Sequence, residues 1–186
     1  MTDCISSNDC KKSHMTTSEL FDLLKLAQRI ALEKHGVPNI LQPGIIKELM
    51  MAEILGHDLI PQKDSADAKD NAGNTYEYLA SIRRVNVTTN KGCSFQLDRV
   101  TPSNLNRVSR NKAFYFGIFS NHLEIEEIWK VEIPVILEEV ERQLDKCKNN
   151  IAHVNFLLKW LEKNGTRVFH DASSEAQRKP QRENHS

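Results

Sequence analysis

Residues 64–81 read DSADAKDNAGNTYEYLAS. The core of this stretch, Asp70-Asn71-Ala72-Gly73, is a turn signal, because Asn and Gly enter positive-φ backbone at little cost. The aromatic and aliphatic run that follows reads as a strand. The turn then joins two arms of a hairpin, with Asp67 on one arm and Glu77 on the other. Like charges repel, so the grouping of Asp64, Asp67 and Asp70 beside this turn calls for a cause. The simplest is a bound cation. Magnesium keeps several waters and takes one or two carboxylates together with a substrate phosphate. Held so, it activates a water and neutralises charge developing on phosphorus. Asp67 and Glu77 suit that work as metal-binding and catalytic acids, with Asp64 as a further ligand or an organiser of water. The same spacing also describes a solvated acidic turn, since Asp and Asn are turn formers. Spacing alone leaves both readings open.

The surrounding pattern sets the fold class. A chain of 186 residues fits one domain and can bury a core without disulfides or structural metal. Residues 1–15 and 171–186 are polar and apolar-poor and are expected to be disordered, which leaves a single domain over 16–170. The first helix starts near MTTSEL, with Thr17 or Ser18 as cap and Glu19 in the first turn. Leu20, Leu23, Leu24, Ala27 and Ala31 recur at helical spacing, as core or as a dimer interface, and Gly36 ends the helix. A second helix follows Pro43, with Ile45, Ile46, Leu49, Ala52 and Leu55 inward and Gly56 as stop. After the hairpin come an extended stretch over about 82–97 with a loop at NKG, and a short helix TPSNLNRVSRN capped by Thr101. Two strands, AFYFGIF and HLEIEEIWKVE, meet near Ser120 and Asn121. Pro134 opens a long helical region that breaks near Asn149 and Asn150 and is capped by Gly165. This order implies a mixed α/β domain, a central sheet flanked by helices.

Other chemistries find no support. The chain has no Gly-rich phosphate loop and no nucleophile elbow. His35, His57, His122, His153 and His170 fall in different elements, so no Ser-His-Asp set is proposed. Lys plus Arg equal Asp plus Glu at 25 each, so any basic, nucleic-acid-binding surface must be local. Cys4, Cys10, Cys93 and Cys147 form no zinc spacing, and free thiols fit a reducing cytoplasm. No apolar run is long enough to span a membrane.

The stretch Asp67-Ala-Lys-Asp-Asn-Ala-Gly73 followed by Tyr76 and Glu77 resembles the PvuII-type restriction endonucleases of the PD-(D/E)xK nuclease superfamily. ALEKHGVPNILQ and KELMMAEILGHDLIP upstream, and KGCS, FYFGIF and EIEEIWKVE downstream, resemble the same family in order, so the likeness covers about residues 20–140. It implies a restriction-endonuclease-like fold. It also implies a type II site-specific deoxyribonuclease that cuts both strands of a short palindromic duplex as a homodimer with Mg²⁺, beside a cognate DNA methyltransferase of the same system. Two-fold protein symmetry would match two-fold DNA symmetry. By this resemblance Asp67 and Glu77 match the family's metal-binding acids, and Asp64 sits near a further acid just before the motif.

Two departures stand out. The family's strand reads Glu-x-Lys, whereas this chain reads Glu77-Tyr78-Leu79, and side-chain alternation puts Leu79 on the face of Glu77. Arg83 shares that parity, and Lys69 and Lys91 are near in sequence. The alternative to an enzyme is therefore a DNA-binding relative, or partner subunit of a nuclease, that does not cut. After KGCS the best-known family pattern carries a histidine run, and this chain carries FQLDRVTPSNLNR instead. Gln96, Asp98, Arg99, Asn104, Asn106, Arg107 and Arg110 are the candidates for DNA contact. Arg can pair with guanine edges, Gln or Asn with adenine, and Asp with a cytosine amino group.

Overall fold

A computed structural model of the chain describes residues 16–60, 66–83, 93–147 and 152–172. The chain divides into two compact units, Met1–Ile40 and Leu41–Ser186.

The first unit contains helix α1, Thr17–His35. Its cap is Thr16, one residue ahead of the expected Thr17 or Ser18. The Glu19 N–H donates to the Thr16 hydroxyl at 3.2 Å, and the Thr16 N–H donates to the Glu19 carboxylate at 2.7 Å. This reciprocal box satisfies two N–H groups that the helix leaves without partners. Gly36 ends α1 at φ 66°, where a Cβ would be strained. Gln28 then holds the emerging chain, donating to Val37 O and accepting from Ile40 N. Of the expected apolar stripe only Ala31 is buried. Leu20, Leu23 and Ala27 are exposed, as are Phe21, Leu26, Ile30 and Leu32.

The second unit is built on a mixed sheet. Helix α2 is Ile45–Leu55, stopped by Gly56 at φ 66°. Strands β1 (Asp58–Leu59), β2 (Ala68–Lys69) and β3 (Thr75–Ile82) follow, then β4 (Ser94–Val100). A 3₁₀ turn at Pro102–Asn104 leads into the one-turn helix α3 (Asn106–Ser109). Then come β5 (Ala113–Phe119), β6 (Ile125–Glu132), α4 (Ile133–Leu144), β7 (Ala152–Leu157), α5 (Leu158–Asn164) and β8 (Thr166–His170). The six-stranded sheet runs β1-β2-β3-β5-β6-β8, with β3 and β5 parallel and the other neighbours antiparallel. A separate antiparallel ribbon pairs β4 with β7. This is a mixed α/β domain, a central mixed sheet with helices beside it.

The expected helical region from Pro134 to Gly165 is two helices, α4 and α5, with strand β7 between them. The reason lies in residues 152–157: Ala152, Val154 and Phe156 are buried while His153, Asn155 and Leu157 are exposed. That period of two suits a strand, and β4 supplies its ladder. The expected break near Asn149 and Asn150 and the NKG loop lie outside the described residues.

Each sheet face carries its own core. On one face Phe114, Phe116, Ile118 and Val131 pack with Phe95, Phe156, Ile136 and Leu161 from the ribbon and from α4 and α5. On the other, Tyr76, Tyr78, Tyr115, Phe119 and Ile128 pack with Met51 and Ala52 of α2. Gly117 lets α2 approach, because a Cβ there would stand 2.6 Å from the Met51 sulfur. Burial of these large apolar side chains, at roughly 1.5–3 kcal/mol each, is the main force holding α2 against the sheet.

Candidate active site

Asp67 closes one arm of the hairpin and Glu77 lies on the other. The register pairs Lys69 with Thr75 and Ala68 with Tyr76, which brings Asp67 against the segment of β3 that carries Glu77. The Asp67 N–H donates to Tyr76 O at 3.0 Å. Its side chain then interrupts the ladder: Asp67 Oδ2 accepts from the Tyr78 N–H at 2.7 Å, which fixes the carboxylate beside β3. The turn is held by Asp70, whose Oδ1 accepts from the N–H groups of Ala72 and Asn74 and whose Oδ2 accepts from Asn74 Nδ2 and the Tyr76 hydroxyl. These bonds keep Asp70 well below the usual carboxylate range. Gly73, at φ 80°, completes the turn. Asp70 thus serves the hairpin, and Asp64 lies outside the described residues.

The two site acids are half-exposed at the surface yet crowded by protein. Burial pushes Asp67 up to about 6, against a bond from the Tyr78 N–H and the charges of Arg110 and Arg107 that pull it down. Burial, and then the neighbouring Asp67 charge, push Glu77 up to about 8, again opposed by Arg107 and Arg110. A third acid joins them. Burial, followed by the charge of Asp67, lifts Glu48 in the first turn of α2 to about 7. Glu48 carries no sequence signal, because its approach to the hairpin depends on how α2 seats on Gly117. Among the described residues no three His, Cys, Asp or Glu side chains are grouped to hold an ion by themselves. Glu48 therefore charges the site rather than completing a cage.

The Glu77 face of β3 continues as Leu79, which packs against the core beside Phe114 and Phe116. Arg83, the other residue of that parity, is committed elsewhere. Its Nε donates to Glu126 at 2.7 Å and its Nη2 to Glu127 at 3.0 Å, and Trp129 Nε1 also donates to Glu127. By the rise of a strand it lies about 20 Å from Glu77, which removes it as a substitute for a strand cation. Lys69 is exposed on β2, and Lys91 lies outside the described residues.

A family description reading "restriction endonuclease PvuII" matches residues 12–169, most of the chain. The chain belongs to the PvuII restriction endonuclease family.

In this PvuII-family chain the β4–β7 ribbon carries three of the residues expected to contact DNA, Gln96, Asp98 and Arg99, and the others lie on the 3₁₀ turn and at α3. Gln96 and Asp98 are exposed on β4, and Asn155 pairs opposite Gln96. Gln96 Nε2 donates to Asp98 Oδ1 at 2.5 Å, and His153 Nδ1 shares a hydrogen bond with the same oxygen at 2.7 Å. Sequence reasoning missed His153 and Asn155. Only the pairing of β7 with β4 brings them beside FQLDR. Arg99 sits where the ladder slips between Leu97 and Val100, at φ 54°, a left-handed conformation costing about 1–2 kcal/mol for a residue with a Cβ. Asn104 Nδ2 donates to Arg99 O at 2.9 Å, so Asn104 braces this bulge. Asn106 opens α3, Arg107 follows it, and Arg110 caps the helix end, where its carbonyl accepts from the Thr75 hydroxyl at 3.1 Å.

Proposed function

We propose that this chain is a type II restriction endonuclease, working in the cytoplasm, that cuts both strands of a short specific duplex sequence using Mg²⁺. The observation that carries the reading is the Asp67–Glu77 pair: two neighbouring acids, half-open to solvent, each held above its ordinary carboxylate range. Crowded carboxylates that resist ionisation fit a hard cation, which neutralises what burial penalises. Asp67 and Glu77 would hold the ion, and Asp64 is proposed as a further oxygen donor. When bound, it would lower the pKa of a water and stabilise charge on the phosphate oxygens.

The protein's own part is positional. The Tyr78 N–H locks Asp67, the Asp70 turn sets the distance between the hairpin arms, and Glu48 adds negative potential. Water oxygen adds to phosphorus, the bond to one sugar oxygen breaks, water loses a proton to a base, and the leaving oxygen gains one from solvent. Gln96, Asp98, Arg99, Asn104, Arg107 and Arg110 are proposed DNA contacts. The exposed apolar side of α1 is proposed as the seat of a second copy, giving a homodimer matched to a palindrome. Sedimentation equilibrium should therefore give twice the chain mass. A cognate methyltransferase would protect the host's own sites without contacting this chain.

Incubation with a sequenced plasmid and Mg²⁺ should give discrete bands whose mapped ends share one sequence. Asp67→Ala and Glu77→Ala should fold and not cut. Full cutting by both variants overturns the assignment. The second reading, a DNA-binding relative that does not cut, is favoured by one observation, the apolar packing of Leu79 beside Glu77. A specific gel shift without cleavage at any metal concentration would establish it.

A further inference from the structure

Stabilising a phosphorane-like transition state takes positive charge aimed at the non-bridging oxygens, from side chains as well as from an ion. Strand β3 cannot provide it next to Glu77. Its residues on that face are Thr75, Leu79 and Ser81, and Leu79 faces the core. Arg83 further along is paired with Glu126 and Glu127.

The charge comes from a different element. Helix α3 ends against the start of β3. The Thr75 hydroxyl donates to Arg110 O at 3.1 Å, and the Lys112 N–H donates to Thr75 O at 2.8 Å. These bonds place Arg110 beside the residue two before Glu77. Arg107 is one helical turn earlier and so shares a side of α3 with Arg110. Its carbonyl is fixed by Asn111 Nδ2 at 3.0 Å, and Asn111 is buried. The guanidinium of Arg107 reaches the recognition strand, where Nη1 lies 3.4 Å from Asp98 O.

We propose that Arg107 and Arg110, carried on α3, are the catalytic cations of this site, contacting the scissile phosphate beside Asp67 and Glu77. This inference rests on the nuclease reading above and deepens it. Because Arg107 also touches the backbone of Asp98, it links the strand that carries the base-reading candidates to the site that would cut. Arg is suited to this, since its planar fork can meet two phosphate oxygens at once.

The test separates rate from affinity. Arg107→Gln, Arg110→Gln, Arg107→Lys and the controls Lys69→Ala and Lys112→Ala are made in the full chain, with folding checked by thermal melts. The bonds accepted by the Arg107 and Arg110 carbonyls are made by backbone and survive the head-group changes, whereas the Arg107 variants alter the contact with Asp98 O, so a change at Asp98 is followed in the binding arm. Single-turnover cleavage of the mapped duplex is measured at saturating protein with Mg²⁺, and binding is measured with Ca²⁺ across a salt series. Each Gln variant is expected to lose about 10²- to 10³-fold in the saturated rate, while Arg107→Lys recovers part of it. The controls should keep the wild-type rate. Arginines serving only as backbone contacts would weaken binding and reduce the salt slope by about 1 each at an unchanged saturated rate. That result, or a collapse of rate in a lysine control instead, overturns the proposal. A wild-type chain that binds specifically and never cuts overturns the nuclease reading and this inference with it, and the wild-type lane alone distinguishes that case.

Discussion

The hairpin gathers acids and the ribbon carries a single one, Asp98, and the two regions treat them in opposite ways. At the hairpin, burial holds Asp67, Glu77 and Glu48 above the ordinary carboxylate range. On the ribbon, Asp98 is exposed and its bonds to His153 and Gln96 hold it below that range. The first arrangement raises the cost of charge and so creates demand for a cation. The second leaves charge cheap and hydrogen-bonding edges facing solvent, which suits exchange of water for base edges. On the proposed reading, chemistry and base reading fall on separate elements, and α3 joins them.

The comparison breaks most visibly if acids at the hairpin prove dispensable. Asp67→Ala and Glu77→Ala should each lower cleavage by about 10²- to 10³-fold or more, in the range lost with other electrostatic groups at a reaction centre. Plasmid digestion with timed gels measures it.

A ribbon change should instead alter which sequence is cut. Gln96→Ala, Asp98→Ala and His153→Ala should each remove about 1–3 kcal/mol of discrimination at one position of the site. Competition between cognate and singly altered duplexes reads this out, and an equal loss on every sequence would mark a backbone contact instead.

Stability against pH sharpens the contrast further. The folded chain retains protons on Asp67 and Glu77 that the unfolded chain releases, so the unfolded state binds fewer protons as pH climbs. Stability from these two groups is therefore greatest below about pH 4 and falls until about pH 8, the window between their ordinary values of 3.8 and 4.5 and the folded values of about 6 and about 8. In metal-free buffer Glu77→Gln should flatten that fall, by a few degrees in Tm near neutral pH. Asp98→Asn should not.

The smallest effect concerns Glu48. Glu48→Gln removes a charge that raises Glu77, so the acid limb of the pH–rate profile should move to lower pH by a fraction of a unit. An outright loss of rate would show that Glu48 takes part in the chemistry.

The parts of this architecture that could be read from the chain are those fixed by neighbours in sequence. Asn71-Ala72-Gly73 forces the turn through local backbone preference, and β3, β5 and β6 follow from runs of aromatic and β-branched residues. Gly36 and Gly56 stop their helices by entering positive φ. What escaped depends on distant partners. The stretch Ala152–Leu157 alternates, but it lies between helical patterns and becomes a strand only through β4. His153 and Asn155 were hidden for the same reason. Glu48 was hidden because Gly117, in another element, decides how near α2 can come. Arg83 shared the parity of Glu77, and nothing local showed that Glu126 and Glu127 would claim it.

Asp67 and Glu77 are proposed to share one divalent ion. Crystals soaked in Mn²⁺ at a pH above 8 give a direct answer through the anomalous difference map. One peak within about 2.2 Å of an oxygen from each carboxylate, absent in Glu77→Ala crystals, is the predicted result. A map with no peak there, or with the two carboxylates turned apart and each hydrated separately, would contradict the account.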